Sequence, residues 1–118
     1  MSIVRRNDDR TRETTANAAG GPGQIISSLI INEDAELLGK GRLFKEIVLE
    51  KDCGVGYHTH NGDGEIYGML SGEAEYDDNG VKTTIKAGDV TITYPGEGHA
   101  ITNHSDEPVY FIALILYE

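Results

Sequence analysis

Two histidines separated by one residue, His58 and His60, constrain this 118-residue chain more than any other feature. In an extended strand alternate side chains point to the same face, so both imidazoles project to one side, about 7 Å apart at the backbone. The turn-rich residues 61–64 follow, and Glu65 then opens another strand-like segment. The pattern therefore predicts a metal site in which a carboxylate returns beside two histidines.

A third histidine lies in a second glycine-rich segment, residues 94–103. Together the two segments resemble the paired motifs of the cupin family, and the chain is identified as similar to small, stand-alone bacterial cupins of the RmlC-like superfamily. The matching residues are His58, His60, Glu65 and Gly72 in the first motif and Gly88, Gly96, His99 and Asn103 in the second. Two positions depart from the family pattern: Asp52 replaces an opening glycine, and Tyr94 replaces a proline that comes one residue later.

Charge and composition indicate which binding partners and which cellular compartment to expect. The formal net charge is −10, which repels nucleic acid and anionic lipid surfaces alike. A single cysteine, Cys53, allows no internal disulfide, and the N-terminus has no apolar run that could form a signal peptide or membrane span. We therefore expect a cytoplasmic protein that binds neither nucleic acid nor membranes.

The chain divides into an N-terminal arm, residues 1–23, and a single domain, residues 24–118. Residues 1–19 are polar, carry four arginines and lack apolar periodicity, which predicts a flexible or partner-dependent arm or simply a solvated tail. The glycine-rich residues 20–23 separate this arm from the domain.

Short β-prone runs fill the domain and predict an all-β fold. Asn79-Gly80 lies between two of these runs and predicts a hairpin, while residues 32–39 predict one short helix. The final apolar run, residues 109–116, is expected to be buried on both faces. About eight strands with turns between them favour an antiparallel jelly-roll barrel, and the family resemblance implies the same double-stranded β-helix.

Three neutral imidazoles and one carboxylate suit a divalent transition metal. The candidates are Mn, Fe, Ni, Co, Cu or Zn, one ion per chain, whereas Ca and Mg prefer more oxygen ligands. Four protein ligands around an octahedral ion leave two positions for water, dioxygen or a chelating ligand. Because the imidazoles must be neutral to bind, metal affinity is expected to fall at low pH.

Other residues near the motifs have competing interpretations. Strand alternation from Glu65 turns Tyr67 inward, as a candidate catalytic hydroxyl or a core tyrosine. Asn103 also suits a turn. His104 lies outside the motif, and Cys53 is interpreted as an incidental thiol.

The resemblance implies several activities, since small cupins include dioxygenases, decarboxylases, isomerases and ligand-binding proteins. The leading hypothesis is a metal-dependent enzyme acting on a small chelating oxygenated metabolite. The alternative is a binding or sensing module, for a sugar-like or other small ligand, with a structural or anchoring metal. A metal-free epimerase would show a broken ligand set, which this chain does not. Oxalate decarboxylation would need an acid and a cation beside the substrate, and the sequence does not place Glu97 or Arg42 there.

A homodimer is also expected. The first and last strands of the domain both expose surfaces that need covering, and two-fold pairing is the commonest solution.

Overall fold

Ten β-strands and three short 3₁₀-helices make up the computed structural model, which describes residues 1–118. The strands are β1 (Arg12–Ala16), β2 (Gln24–Leu29), β3 (Gly41–Leu49), β4 (Gly54–Thr59), β5 (Asp63–Ser71), β6 (Glu73–Asp78), β7 (Val81–Lys86), β8 (Val90–Thr93), β9 (Gly98–Thr102) and β10 (Val109–Tyr117). The 3₁₀-helices span Asn7–Asp9, Ala18–Gly20 and Asp34–Leu37. None of the helical segments is long enough to cross a membrane.

The strands form two antiparallel sheets that face each other. One sheet has six strands in the order β1-β2-β3-β10-β5-β8, and the other has four in the order β4-β9-β6-β7. Alternate residues of both sheets point between them and form the core, which includes Leu49, Ile101, Val109 and Phe111, each fully buried. The predicted antiparallel jelly-roll barrel is confirmed.

Two local predictions can be compared directly with the backbone. Asn79 and Gly80 have φ angles of 51° and 94°, and this pair of positive values forms the tight turn between β6 and β7 as predicted. The helix predicted in residues 32–39 is a single 3₁₀ turn, Asp34–Leu37, and it ends at Leu38 and Gly39 with positive φ angles. The other two 3₁₀ turns carry no apolar periodicity and were not predicted.

The prediction that β10 is buried on both faces is wrong for the single chain. Val109, Phe111 and Ala113 are fully buried because they face the barrel interior. The alternate residues, Tyr110 and Ile112 among them, are only half-buried on the outer face of the sheet. An antiparallel sheet packs one face on the core and leaves the other open, so an apolar run alone does not prove burial on both sides.

Residues 1–23 contain a strand that the sequence did not reveal. β1 pairs with β2 along its whole length, from Arg12 opposite Ser28 to Ala16 opposite Gln24. All five β1 residues are exposed, so the strand has no apolar alternation and depends on main-chain pairing. Nearer the N-terminus, Arg5 donates to Glu36 at 2.6 Å, which ties this part of the chain to the barrel.

The turn after β1 packs backbone against backbone on β4. A Cβ atom added at Gly21 would lie 2.5 Å from the backbone nitrogen of Gly56. A Cβ atom added at Gly56 would overlap the carbonyl oxygen of Ala19. Only glycine allows this approach, which holds residues 18–21 against the barrel.

Gly56→Ala is therefore expected to destabilise the fold. The added methyl group must push the Ala18–Gly20 turn away from β4, and we expect urea unfolding to show a loss of about 1–3 kcal/mol. Gly68→Ala is the matched control, because a Cβ atom there meets nothing within 4 Å. Equal stabilities for the two variants would contradict the proposed packing.

Candidate metal centre

Four side chains from both sheets meet inside one end of the barrel. His58 lies on β4 directly opposite His99 on β9, and His60 follows the end of β4. Glu65 lies on β5 of the facing sheet, and alternation along that strand turns its carboxylate inward. His58, His60, Glu65 and His99 together are called the four-donor site.

The donor atoms of the four-donor site converge on one point. The Nε2 atom of His99 lies 3.1 Å from the Nε2 atoms of both His58 and His60. The Oε1 atom of Glu65 lies 3.0 Å from Nε2 of His99, 3.2 Å from that of His60 and 3.6 Å from that of His58. Ligands around a single ion at roughly 2.0–2.2 Å have such spacings. The residues predicted from the two motifs are therefore brought together in an arrangement that fits one metal ion.

The other ring nitrogen of each histidine already has a partner. His58 Nδ1 contacts the carbonyl oxygen of Gly56 at 2.8 Å, and His60 Nδ1 contacts Oδ1 of Asp63 at 2.8 Å. His99 Nδ1 lies 2.9 Å from a hydroxyl of Tyr76 and 2.9 Å from one of Thr93. A proton on Nδ1 that is donated to these oxygens leaves Nε2 free as a metal donor and fixes the ring orientation.

Asp63 links the four-donor site to a cation at its edge. Its Oδ2 atom accepts a hydrogen bond from Nε of Arg42 at 2.8 Å, while its Oδ1 atom faces His60. Burial opposes ionisation of Asp63, but the bonds with Arg42 and His60 outweigh it and lower the pKa of this carboxyl. Asp63 is therefore ionised, and its contact with Nδ1 of His60 holds this ring in its orientation.

The pKa values of the site residues reflect the balance between burial and attraction. The largest single effect on Glu65 is burial, which raises its pKa. The contacts with His58 and His99 together outweigh burial, so the pKa of Glu65 is lowered to about 2. The contact with Glu65 raises the pKa of His58, while burial lowers the pKa of His99. Glu65 is thus an anion at neutral pH, ready to bind a cation.

A cavity of about 390 Å³ opens above the four-donor site. Three of the four donors line it, and His99 lies fully buried behind them. Thr15, Ala18 and Ala19 of the N-terminal segment form one wall. The charged residues of the lining are Arg42, Lys45 and Glu65.

Tyr67, the candidate catalytic residue, is buried in the cavity wall. Its ring stacks on that of His99, with centroids 4.8 Å apart and planes 19° apart. Burial, with a contribution from the Glu65 carboxylate, raises the pKa of Tyr67 well above its ordinary value. The hydroxyl thus keeps its proton and is suited to donating a hydrogen bond rather than acting as a base.

The remaining candidates lie outside the four-donor site. Asn103 donates to the carbonyl oxygens of Leu49 and Glu107, which makes it a turn residue. His104 is exposed beside Glu75. Cys53 is buried outside the set of donors. Glu97 accepts a hydrogen bond from the backbone nitrogen of Tyr94.

Sequence reasoning missed three residues that surround the site. Asp63 could have been found from its position three residues after His60. Lys45 interrupts the inward apolar positions Leu43 and Ile47 of β3, and this pattern was also readable. Tyr76 reaches His99 only through the tertiary fold, so no local sequence pattern indicates it.

A jelly-roll barrel with an inward set of three histidines and one glutamate defines a class of proteins. The family model for the Cupin domain matches residues 45–115, more than half of the chain. The chain therefore belongs to the cupin family.

Individual relatives are also similar along nearly the whole chain. A protein of Thermotoga maritima named "Oxalate-binding protein" is 38% identical over 114 residues, which cover 97% of this chain and 93% of that protein. A crystal structure described as a predicted oxalate decarboxylase from Thermotoga maritima has a TM-score of 0.93 at 36% identity, covering 98% of this chain and 100% of the other. An uncharacterised Klebsiella pneumoniae protein with a double-stranded β-helix domain has a TM-score of 0.71 at 25% identity, covering 99% and 91%.

Removal of any histidine of the four-donor site is expected to abolish stoichiometric metal binding. His58→Ala, His60→Ala and His99→Ala each delete one donor, and we expect metal affinity to fall at least about 100-fold by calorimetric titration. His104→Ala is the control, since its ring lies elsewhere and contacts Glu75 at 3.4 Å. Wild-type affinity in any of the first three variants would count against the assignment.

Proposed function

We propose that this protein binds a small chelating carboxylate of the oxalate type at a divalent transition metal held by His58, His60, Glu65 and His99. When bound, the metal supplies a Lewis acid with open coordination positions that two carboxylate oxygens of one ligand can occupy. The protein contributes the donors, their orientation and a cavity that admits only a small molecule.

The observation that carries this proposal is the charge distribution around the four-donor site. Arg42 and Lys45 line the cavity, and Glu65 is the one acidic side chain in its lining. Because Glu65 faces the histidines and Arg42 is paired with Asp63, the charge left for a ligand is the positive charge of Lys45. A small anion is therefore favoured in the cavity even though the chain as a whole carries a net charge of −10.

The names of the relatives support the same ligand class. Oxalate has two adjacent carboxylates and can chelate one ion through two oxygens. The protein named for oxalate binding is 38% identical to this chain along nearly its whole length. A chelating dianion also fits a metal site with cations beside it.

Binding is better supported than turnover of this ligand. Decarboxylation of a carboxylate breaks a carbon–carbon bond, releases carbon dioxide and requires a proton for the remaining carbon. Glu65 has a pKa of about 2 and cannot hold that proton at neutral pH, and Glu97 holds a surface turn. Burial raises the pKa of Tyr67 so far that its proton is not readily released. None of these three groups supplies the proton, so we favour the module with an anchoring metal over the enzyme, and the product measurement below distinguishes the two.

The proposed ligand can be tested by calorimetric titration of the Mn²⁺-loaded protein with oxalate. We expect binding that falls at least about 100-fold when the metal is removed, because the ion supplies the main anchor. Formate has only one carboxylate, cannot form the five-membered chelate ring of oxalate, and should bind at least about tenfold more weakly.

Equal oxalate affinity with and without metal, or no affinity in either form, would contradict the proposal. Formate and carbon dioxide are measured in the same samples by ¹³C nuclear magnetic resonance, with the His60→Ala variant as the control. Metal-dependent production of formate from oxalate would contradict the binding proposal and support the enzyme hypothesis.

We also propose that the chain forms a homodimer through the outer face of its six-stranded sheet. Neighbouring strands place apolar residues side by side on this face, since Leu114 lies opposite Phe44 on β3 and opposite Ile66 on β5. Ile66 in turn lies opposite Ile92, which is 55% exposed on β8. A continuous apolar surface of this kind favours burial against another copy.

Gel filtration with light scattering tests the dimer. The wild-type protein is expected to have the mass of two chains, and Ile92→Lys the mass of one, 12.8 kDa. The charge placed in the interface would remain unpaired, which explains the dissociation. Val81→Lys introduces the same charge at an exposed residue of the other sheet and should leave the dimer intact. A monomeric wild-type protein at micromolar concentration would contradict this proposal.

A further inference from the structure

Lys45 occupies an unusual position for a lysine. It lies on β3 between the inward-facing Leu43 and Ile47, and opposite Ala113 of β10, which is fully buried. The other four lysines of the chain are exposed, whereas Lys45 is half-buried. Alternation along β3 therefore directs its side chain into the barrel, where it lines the cavity of the four-donor site.

Lys45 has no partner within the protein. Lys51 and Lys82, both exposed, have carboxylate oxygens of Asp106 and Glu75 at 2.8 and 3.7 Å. Glu13 and Glu65 attract Lys45, but neither forms an ion pair with it. Burial outweighs this attraction and lowers the pKa of Lys45. A desolvated ammonium group without a partner destabilises a folded protein, so its presence requires an explanation.

Arg42, the other cation in the cavity lining, differs from Lys45 because it has a partner. Arg42 is committed to Asp63 through its Nε atom, and it thereby supports His60. Lys45 has no such partner, so its three N–H donors remain available. Any anion that enters the cavity would meet this ammonium group beside the four-donor site, where low solvent exposure strengthens the attraction.

We propose that Lys45 is the anion-recognition residue of the metal cavity, whose ammonium group pairs with a carboxylate of the bound ligand. This inference rests on the proposed function and adds the residue that selects for charge. A monoanion can satisfy the metal or the lysine, whereas a small dicarboxylate satisfies both. The selected ligands are therefore dianions small enough for the cavity of about 390 Å³.

A structural role for Lys45 predicts a different outcome. Glu13 lines a smaller pocket of about 190 Å³ that Lys45 also borders, so the lysine could instead support β1 through attraction to Glu13. In that case removing its charge would destabilise the fold. If Lys45 serves the ligand, removing the unpaired charge leaves stability unchanged or increases it, while ligand affinity falls.

The test compares Lys45→Met with Lys86→Met in the Co²⁺-loaded protein. Both variants lose one positive charge, but Lys86 is exposed on β7 of the other sheet. For Lys45→Met we expect unchanged cobalt binding, a melting temperature equal to or above that of the wild type, and oxalate affinity reduced at least about tenfold. The cobalt absorption change at saturating oxalate should stay the same, because the ion still accepts the ligand. Lys86→Met should match the wild type in all measurements.

Oxalate affinity within twofold of the wild type in Lys45→Met would overturn the role of Lys45 and leave the proposed function standing. A joint loss of stability and oxalate binding would also overturn it in favour of the structural role. If Lys45→Met fails to fold, Lys45→Arg and Lys45→Gln replace it, and equal oxalate affinity in these two would overturn the proposal. No oxalate binding by the wild type would overturn the proposed function and this inference together.

Discussion

The convergence of three imidazoles and one carboxylate between two sheets is the constraint on which the rest of the molecule depends. Four polar side chains inside a barrel are costly unless each one finds a partner. Here the Nδ1 atom of each of the three site histidines contacts an oxygen, and Glu65 faces all three Nε2 atoms. A divalent cation would replace the mutual contacts of the four donors with bonds to one ion, and all four buried groups would then share one partner.

The apolar core makes this arrangement rigid. His58 and His99 lie opposite each other on paired strands, while Glu65 is carried by the facing sheet. Their separation is therefore set by the packing of the sheets on core residues such as Phe111 and Ile101. The N-terminal segment adds a wall to the cavity, held in place by the close approach of Gly21 and Gly56. Core packing thus fixes the positions of the four donors.

The metal-binding residues could be predicted from the sequence, whereas the N-terminal strand beside them could not, and the difference has physical causes. His58, His60 and Glu65 lie in one local pattern whose spacing follows strand geometry, whereas His99 was predicted from the resemblance of its segment to the second cupin motif. The Asn79-Gly80 turn was predictable because its positive φ angles demand particular residues. By contrast, β1 consists of exposed residues whose pairing is made by the main chain, and side-chain periodicity cannot reveal such a strand.

X-ray absorption spectroscopy of the protein purified without chelator, at the edge of whichever metal elemental analysis finds, tests the central claim most directly. The account predicts about one equivalent of a divalent transition metal, a first shell of nitrogen and oxygen at roughly 2.0–2.2 Å, and the outer-shell scattering of three imidazoles. A sulfur scatterer at about 2.3 Å would indicate ligation by a cysteine instead. That result, or a protein that takes up no metal at all, would contradict the assignment of His58, His60, Glu65 and His99 as the metal centre.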